Sequence, residues 1–255
     1  MANTLNLTNN ADNFPIAPGL MAQFLGGVLG LGGNDTIVGS SENDIANGND
    51  GKDILFGRDG NDNLQGGKGE DDVSGEGGRD ILTGGADDDY IAGGDGDDVL
   101  NGGRGDDLLE GGAGNDTLSG DRGYTNYRGG TGSDVFVLRT DVVAEDPRRN
   151  SNRSFNGSAW DAILDFERSI DRIGLTGGLT EANITLVPFS MSMSRIFLIA
   201  ARFPREGRLS LADSDVDKNG IYDATTIQIA ATGQILGRVL NVTPSDLRGR
   251  FITLS

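Results

Sequence analysis

The chain of 255 residues contains no cysteine and no histidine. Without cysteine there is no disulfide framework and no thiolate metal site. Without histidine the commonest zinc ligand and the commonest general base are both missing. Zinc hydrolysis, Ser-His-Asp catalysis, Cys-His catalysis and haem ligation through an imidazole are all disfavoured by these two absences. Long hydrophobic runs are also lacking. The uncharged stretch from Phe14 to Gly33 is broken by prolines, glycines and Gln23, so it makes a poor helix in lipid. No Lys or Arg precedes that stretch, so it does not read as a cleavable signal peptide. This leaves cytosolic residence or export by a route that uses no such signal.

What is abundant is glycine, with 42 residues, and negative charge, with a net of −18. The charge is localised. Between Gly30 and Val137 there are 24 Asp plus Glu against 7 Lys plus Arg, whereas the other 147 residues are nearly balanced. Such a segment repels itself until cations enter, and it argues against nucleic acid as a partner.

Internal repetition explains both excesses. Steps of nine from Gly30 to Gly129 land on glycine every time. Steps of nine from Asp35 land on aspartate through Asp116, meet Thr125, and return to Asp134. Two residues beyond each of these positions lies a mostly apolar side chain, as in Ile37, Leu55, Leu64, Val73, Leu82, Ile91, Leu100, Leu109, Leu118 and Phe136. Ala46 and Tyr127 are the weaker members of that series. The fourth position is glycine in ten of the twelve repeats, with Glu42 and Asp87 as exceptions. A disordered acidic tract has no reason to keep an apolar residue at every ninth place.

Each repeat therefore divides into six turn residues and three strand residues, with the apolar eighth residue pointing inward. Two repeats complete one coil, and twelve repeats give six coils stacked to a height of roughly 29 Å. The expected fold is all-β: a parallel β-roll, a right-handed solenoid of about six two-repeat coils, followed by a C-terminal β-rich cap. The expected division is 1–29 as an N-terminal cap or extension, 30–137 as the roll, and 138–255 as a capping domain with a candidate secretion signal.

Gly93-Gly94-Asp95-Gly96-Asp97-Asp98-Val99-Leu100-Asn101 and Gly111-Gly112-Ala113-Gly114-Asn115-Asp116-Thr117-Leu118-Ser119 resemble the calcium-binding nonapeptide of the RTX (repeat-in-toxin) family. The resemblance covers Gly30 to Val137. It implies calcium ions held between neighbouring turns of each stack, five in either stack. The ladder Asp35, Asp44, Asp53, Asp62, Asp71, Asp80, Asp89, Asp98, Asp107, Asp116 and Asp134 would supply the carboxylates. Calcium accepts about six to eight hard oxygen ligands with tolerant geometry, whereas magnesium demands a tighter octahedron. The turns at 39–44 and 120–125 depart from the pattern and should hold calcium weakly or not at all. That leaves about eight to ten ions.

The flanks carry further expectations. Asn3 to Thr8 alternates like an edge strand, Asn9 to Phe14 resembles a decayed repeat, and Leu20 to Leu31 shows a short apolar stripe at helical spacing. These segments read as a cap over the open end of the solenoid, with a docking surface as the alternative. Trp160 to Phe166 followed by Ser169 to Ile173 resembles the segment that closes the roll in RTX proteins. Ile196 to Ala201, Thr225 to Ile229 and Gln234 to Val242 read as strands, and Thr243-Pro244 as a helix start. The RTX resemblance also implies type I secretion through an uncleaved C-terminal region, and the apolar tail Phe251 to Leu254 is compatible with it.

Asp215, Asp217, Asn219 and Asp223, with Gly220 at the sharp turn, match the opening of a calcium loop, although Thr226 stands where its closing glutamate belongs. A hairpin turn on Asn219-Gly220 is the equal alternative. Arg148, Arg149 and Arg153 form a basic polar loop, either solvated or set against the acidic roll.

The expected function is a non-catalytic, exported calcium-binding protein that folds on its ion. It would act outside the cell or on its surface as a structural component, as a homo-oligomer or filament, with no nucleic acid and no membrane span. The alternative is the C-terminal calcium-binding and secretion module of an RTX exoenzyme or toxin. The residues outside the roll hold no histidine and no recognisable nucleophile–base pair, although a glycosidase-like carboxylate pair stays open. Met1 at the start argues against a carrier cut from a larger protein.

Overall fold

The computed structural model describes residues 3–138, 161–192, 221–231 and 235–254. Within the roll, the strand of one nonapeptide does not pair with that of the next. Instead Ile54–Asp59 pairs in parallel with Asp72–Gly77, Ile54 opposite Asp72, and Ile45–Asp50 pairs with Asn63–Lys68, Ile45 opposite Asn63. The register shift of 18 residues repeats through the nonapeptides, so two repeats make one coil and the chain forms a parallel β-solenoid of about six coils.

The reason is the period-two geometry of a strand. In each repeat the eighth residue faces inward while its neighbours face out. One inner column runs Val28, Ala46, Leu64, Leu82, Leu100, Leu118 and Phe136, and the other runs Ile37, Leu55, Val73, Ile91, Leu109 and Tyr127. All are buried. Each Leu or Ile so placed contributes roughly 1.5–3 kcal/mol relative to exposure. The outward seventh residue is unconstrained by this core, as Ile81 at 52% and Val99 at 45% exposure show.

The parallel stacking carries on past the repeats at both ends. Leu5–Asn6 pairs with Val28–Leu29, and Asn13–Pro15 with Thr36–Val38, at shifts of 23 residues. The edge strand expected near Leu5 is therefore present. The extra residues of this first coil form turns rather than the helix suggested by the apolar spacing from Leu20. Gly19 and Gly27 adopt φ of 78° and 83° on either side, which confines helical geometry to one turn closed by Phe24 N–H on Leu20 O.

Beyond the repeats, Asp161–Ile163 stacks on Arg122–Thr131, and Arg172–Leu175 on Val135–Leu138. Ile235–Leu240 and Phe251–Thr253 then stack on those two strands. Among the described residues, pairing turns antiparallel only where Ile221–Ile229 joins Ile235–Leu240 and Ile184–Ser192. The strands expected at Thr225–Ile229 and within Gln234–Val242 are thus found, and a single helical turn, Pro244–Leu247, starts at Thr243 as expected. The strand expected at 196–201, Trp160 and the arginine loop at 148–153 lie outside the described residues.

Candidate metal centre

The aspartates form two ladders, one along each edge of the roll. Oδ1 of Asp53 accepts the N–H of Asp35 in the previous coil at 2.8 Å, and Oδ1 of Asp62 accepts that of Asp44 at 2.7 Å. The same bond joins Asp71, Asp80, Asp89, Asp98, Asp107, Asp116 and Asp134 to the coil before, at 2.8–3.0 Å. The residue just before each aspartate works in the opposite direction. Asn61 N–H donates to Asn43 Oδ1 at 2.9 Å, Asp106 N–H to Asp88 Oδ1 at 2.7 Å, and Asn115 N–H to Asp97 Oδ1 at 2.9 Å. Neighbouring turns are therefore stitched both upward and downward.

One carboxylate oxygen per rung remains. Among the described residues, Oδ2 of Asp35, Asp53, Asp62, Asp71, Asp80, Asp89, Asp98, Asp107, Asp116 and Asp134 is buried without a hydrogen-bond partner. Leaving a buried charge uncompensated is costly, and native structures avoid it. These oxygens also keep company with backbone carbonyls. At Gly57 a Cβ would meet Asp62 Oδ2 from its own turn and Gly75 O, 2.8 Å away, from the next. The same hollow recurs at Gly48, where the carbonyl is Gly66 O at 2.7 Å. Oxygens from two stacked turns thus line the same hollow, an arrangement that a cation stabilises. Among the described residues no three carboxylates converge on one point. An ion in these hollows therefore takes most of its donors from backbone carbonyls, which suits calcium.

Burial in this setting raises the carboxyl pKa values. Asp62, Asp71 and Asp116 are pushed up to about 7, Asp98 to about 6, Asp107 to about 8 and Asp89 to about 9, in each case chiefly by desolvation. Neighbouring aspartates add to the effect, and the hydrogen bond from the previous coil opposes it.

Three carboxylates at the ends of the ladders accept bonds within their own turns, although Oδ1 of Asp44 stays buried without a partner. Asp12 Oδ2 accepts both the N–H and the hydroxyl of Thr8 at 2.8 Å. Asp44 Oδ2 accepts the Ser40 N–H at 2.6 Å and its hydroxyl at 3.1 Å. Asp171 takes the Asp134 N–H on Oδ1 at 3.0 Å and the Glu167 N–H on Oδ2 at 2.7 Å. In each turn the donor lies four residues before the aspartate. A hydroxyl at that spacing was a readable signal in Thr8 and Ser40.

Asp161 and Asp165 also belong to the site, the first four steps of nine beyond Thr125 and the second off the step. Thr125, buried in an aspartate position, donates its N–H to Asp161 Oδ1 at 3.2 Å, so the ladder resumes across the interruption. Asp165 accepts the N–H of Gly129 at 2.9 Å and of Gly130 at 3.0 Å. In earlier coils the first glycine donates to a carbonyl of the next coil, as Gly39 does to Phe56 O at 2.6 Å. Asp165 therefore stands in for a missing coil. We expect Asp165→Ala to leave two donors unsatisfied and to cost roughly 2–4 kcal/mol. Thermal unfolding in saturating calcium checks this, and an unchanged midpoint would refute the capping role.

Of the other candidate ligands, Asp215, Asp217 and Asn219 lie outside the described residues. Asp223 sits in strand Ile221–Ile229, its backbone opposite Ser190.

Residues 29–64, 56–91, 65–100 and 92–125 match the RTX calcium-binding nonapeptide repeat in four overlapping copies. No curated protein matches the chain. The stretch from 29 to 125 consists of RTX calcium-binding nonapeptide repeats. No helix among the described residues is long and apolar enough to cross a membrane.

Proposed function

We propose that this chain is a non-catalytic, exported calcium-binding protein whose roll, residues 30–137, folds when calcium fills the hollows between stacked turns. The observation that carries this reading is the set of ten buried Oδ2 atoms without partners, Asp35 to Asp134, seven of which share a hollow with a carbonyl of the next turn. The ladder aspartates are the carboxylate ligands, and the roll takes about eight to ten ions. The turn at 39–44 binds least well, because Ser40 already occupies one oxygen of Asp44. Ion binding supplies the folding free energy of a segment that carries a net charge of −17. Low calcium inside the cell then keeps the chain unfolded for export, and higher calcium outside locks it. Residues 1–29 and 138–255 act as caps, the latter also carrying the secretion signal.

End-to-end assembly outside the cell is the second part of the proposal. Among the described residues, Leu5–Asn6, Asn13–Pro15 and Phe251–Thr253 each pair on one side only, so both ends of the stack offer strand edges. The test is a calcium titration in chelated buffer, read by far-ultraviolet circular dichroism and light scattering together. The expected result is a cooperative gain of β signal, reversed by chelator and not reproduced by magnesium, with scattering rising alongside. A spectrum already rich in β in chelator, and unmoved by calcium, would overturn the folding claim. Flat scattering would overturn the assembly claim.

A further inference from the structure

The roll has two outward sheet faces, and only one of them carries charge. On the face that includes Ile54 and Tyr90, the residues Asp72, Glu110 and Arg128 stand at outward positions. On the other face the seventh positions run Ile45, Asn63, Ile81, Val99, Thr117 and Val135. The ninth positions of the same strands hold amides, hydroxyls and one valine. None of these twelve outward residues is charged, in a segment whose net charge is −17.

The seventh positions form a straight column. Ile45 stands opposite Asn63, Asn63 opposite Ile81, Ile81 opposite Val99, Val99 opposite Thr117 and Thr117 opposite Val135. Successive rows are about 4.8 Å apart. Of the five large apolar side chains exposed among the described residues, three stand in this one column: Ile45, Ile81 and Val99. Both rims of the face are polar. Lys68 pairs with Asp50 at 2.8 Å along one row of turns, and Arg79 with Asp97 at 3.4 Å along the other. An exposed apolar centre within a charged rim marks an interaction surface.

The order of the column says what fits it. Laid against itself in reverse, it sets Ile45 against Val135, Asn63 against Thr117 and Ile81 against Val99, apolar with apolar and polar with polar throughout. A two-fold axis along the strands produces this reversal: it flips the sheet, inverts the stack and leaves seventh positions facing seventh positions. An axis along the stack would instead set the apolar column against the amides of the ninth positions. Charge favours the same partner. Copies that each carry −18 repel over most of their surface, and this face is free of that repulsion.

We infer that the uncharged face is a docking surface for a second copy of the chain, the two rolls packing sheet against sheet in an antiparallel pair with Ile81 on Val99 at its centre. Six strands of three residues cover roughly 300 Å2 on each copy. That is well under the roughly 800 Å2 per partner of a standard interface, so the pair is weak and forms at high concentration. It is lateral, and distinct from the end-to-end contacts proposed above.

The inference needs the calcium-folded roll, and the experiment keeps the two apart. Sedimentation velocity in saturating calcium is run on the full chain up to about 1 mM, with circular dichroism on the same samples. The variants are Ile81→Lys, Val99→Asp, the two together, and Ile54→Lys at a seventh position of the other face. The expected result is a monomer–dimer equilibrium in wild type, weakened about tenfold or more by Ile81→Lys and by Val99→Asp and unchanged by Ile54→Lys. In the double variant each new ammonium faces a new carboxylate of the other copy, so dimers return. Species built end to end do not use this face and should be the same in every variant. A folded wild-type chain that stays monomeric at about 1 mM would overturn the inference and leave the face to a different partner. Equal weakening by Ile81→Lys and Ile54→Lys, or no return of dimers in the double variant, would overturn it too. A wild-type chain without β signal in calcium would sink the folding reading itself, and the docking face with it.

Discussion

With calcium chelated, the roll should be unfolded at pH 9 and folded at pH 5. The buried aspartates set this behaviour. A carboxyl whose pKa is higher in the folded state than its unfolded value of about 3.9 binds protons more tightly when folded. Its contribution to stability is complete below the unfolded pKa and is lost as pH rises through the folded pKa. For Asp98, Asp62, Asp71, Asp116, Asp107 and Asp89 the folded values run from about 6 to about 9, in every case raised chiefly by desolvation. By pH 5 these six are protonated in the folded chain, each able to donate an O–H toward a carbonyl of the neighbouring turn. At pH 9 all but Asp89 are predominantly charged, buried and uncompensated.

Calcium replaces those protons, so in excess calcium the β signal should persist from pH 7 to 9, and calcium binding at pH 7 should release protons. The measurement is circular dichroism across pH 5–9, with and without chelator, and with scattering monitored because the isoelectric point lies near 4.2. A metal-free chain that stays β-rich at pH 9, or stays unfolded at pH 5, would show that the ladder carboxylates do not govern folding.

The repeat made the coil legible because a solenoid puts each nonapeptide in the same surroundings. Leu64 and Leu82 meet identical demands one coil apart, so the register of 18 residues shows directly in the sequence. What could not be read is where the surroundings change. Asp161 and Asp171 continue the aspartate ladders at spacings of 36 and 37 residues from Thr125 and Asp134; the second is off the step of nine, and the first is reached by it only after Val143 and Asn152 have broken the aspartate series. The first coil is concealed in the same way by its shift of 23 residues. Apolar spacing from Leu20 suggested a helix because spacing alone does not report the φ angles at Gly19 and Gly27 that end it. The division of labour within each carboxylate, one oxygen to a backbone N–H and one to the hollow, has no sequence signature at all. It emerges only when turns are stacked.

Gly96→Ala should cost more stability than any single loss of a ladder carboxylate. Gly96 has φ of 140°, a region closed to side chains, and an added Cβ would strike the carbonyl oxygen of Gly78 and lie 2.6 Å from its carbon. Neither turn can move away, because the hydrogen bond from Asp80 N–H to Asp98 Oδ1, at 2.8 Å, ties them together. Backbone strain and overpacking together should destabilise the calcium-loaded roll by about 3 kcal/mol or more. The separation of the two turns would grow, and the ion between them would be lost. Gly178 provides the control: its φ of 72° is also left-handed, but nothing lies within 4 Å of an added Cβ. Gly178→Ala should therefore show only the conformational cost, about 1 kcal/mol, with all ions retained. Denaturant unfolding in saturating calcium, combined with equilibrium counting of bound ions, distinguishes the two substitutions. Equal destabilisation by both would mean that the close approach of stacked turns is not what demands glycine at the fourth position.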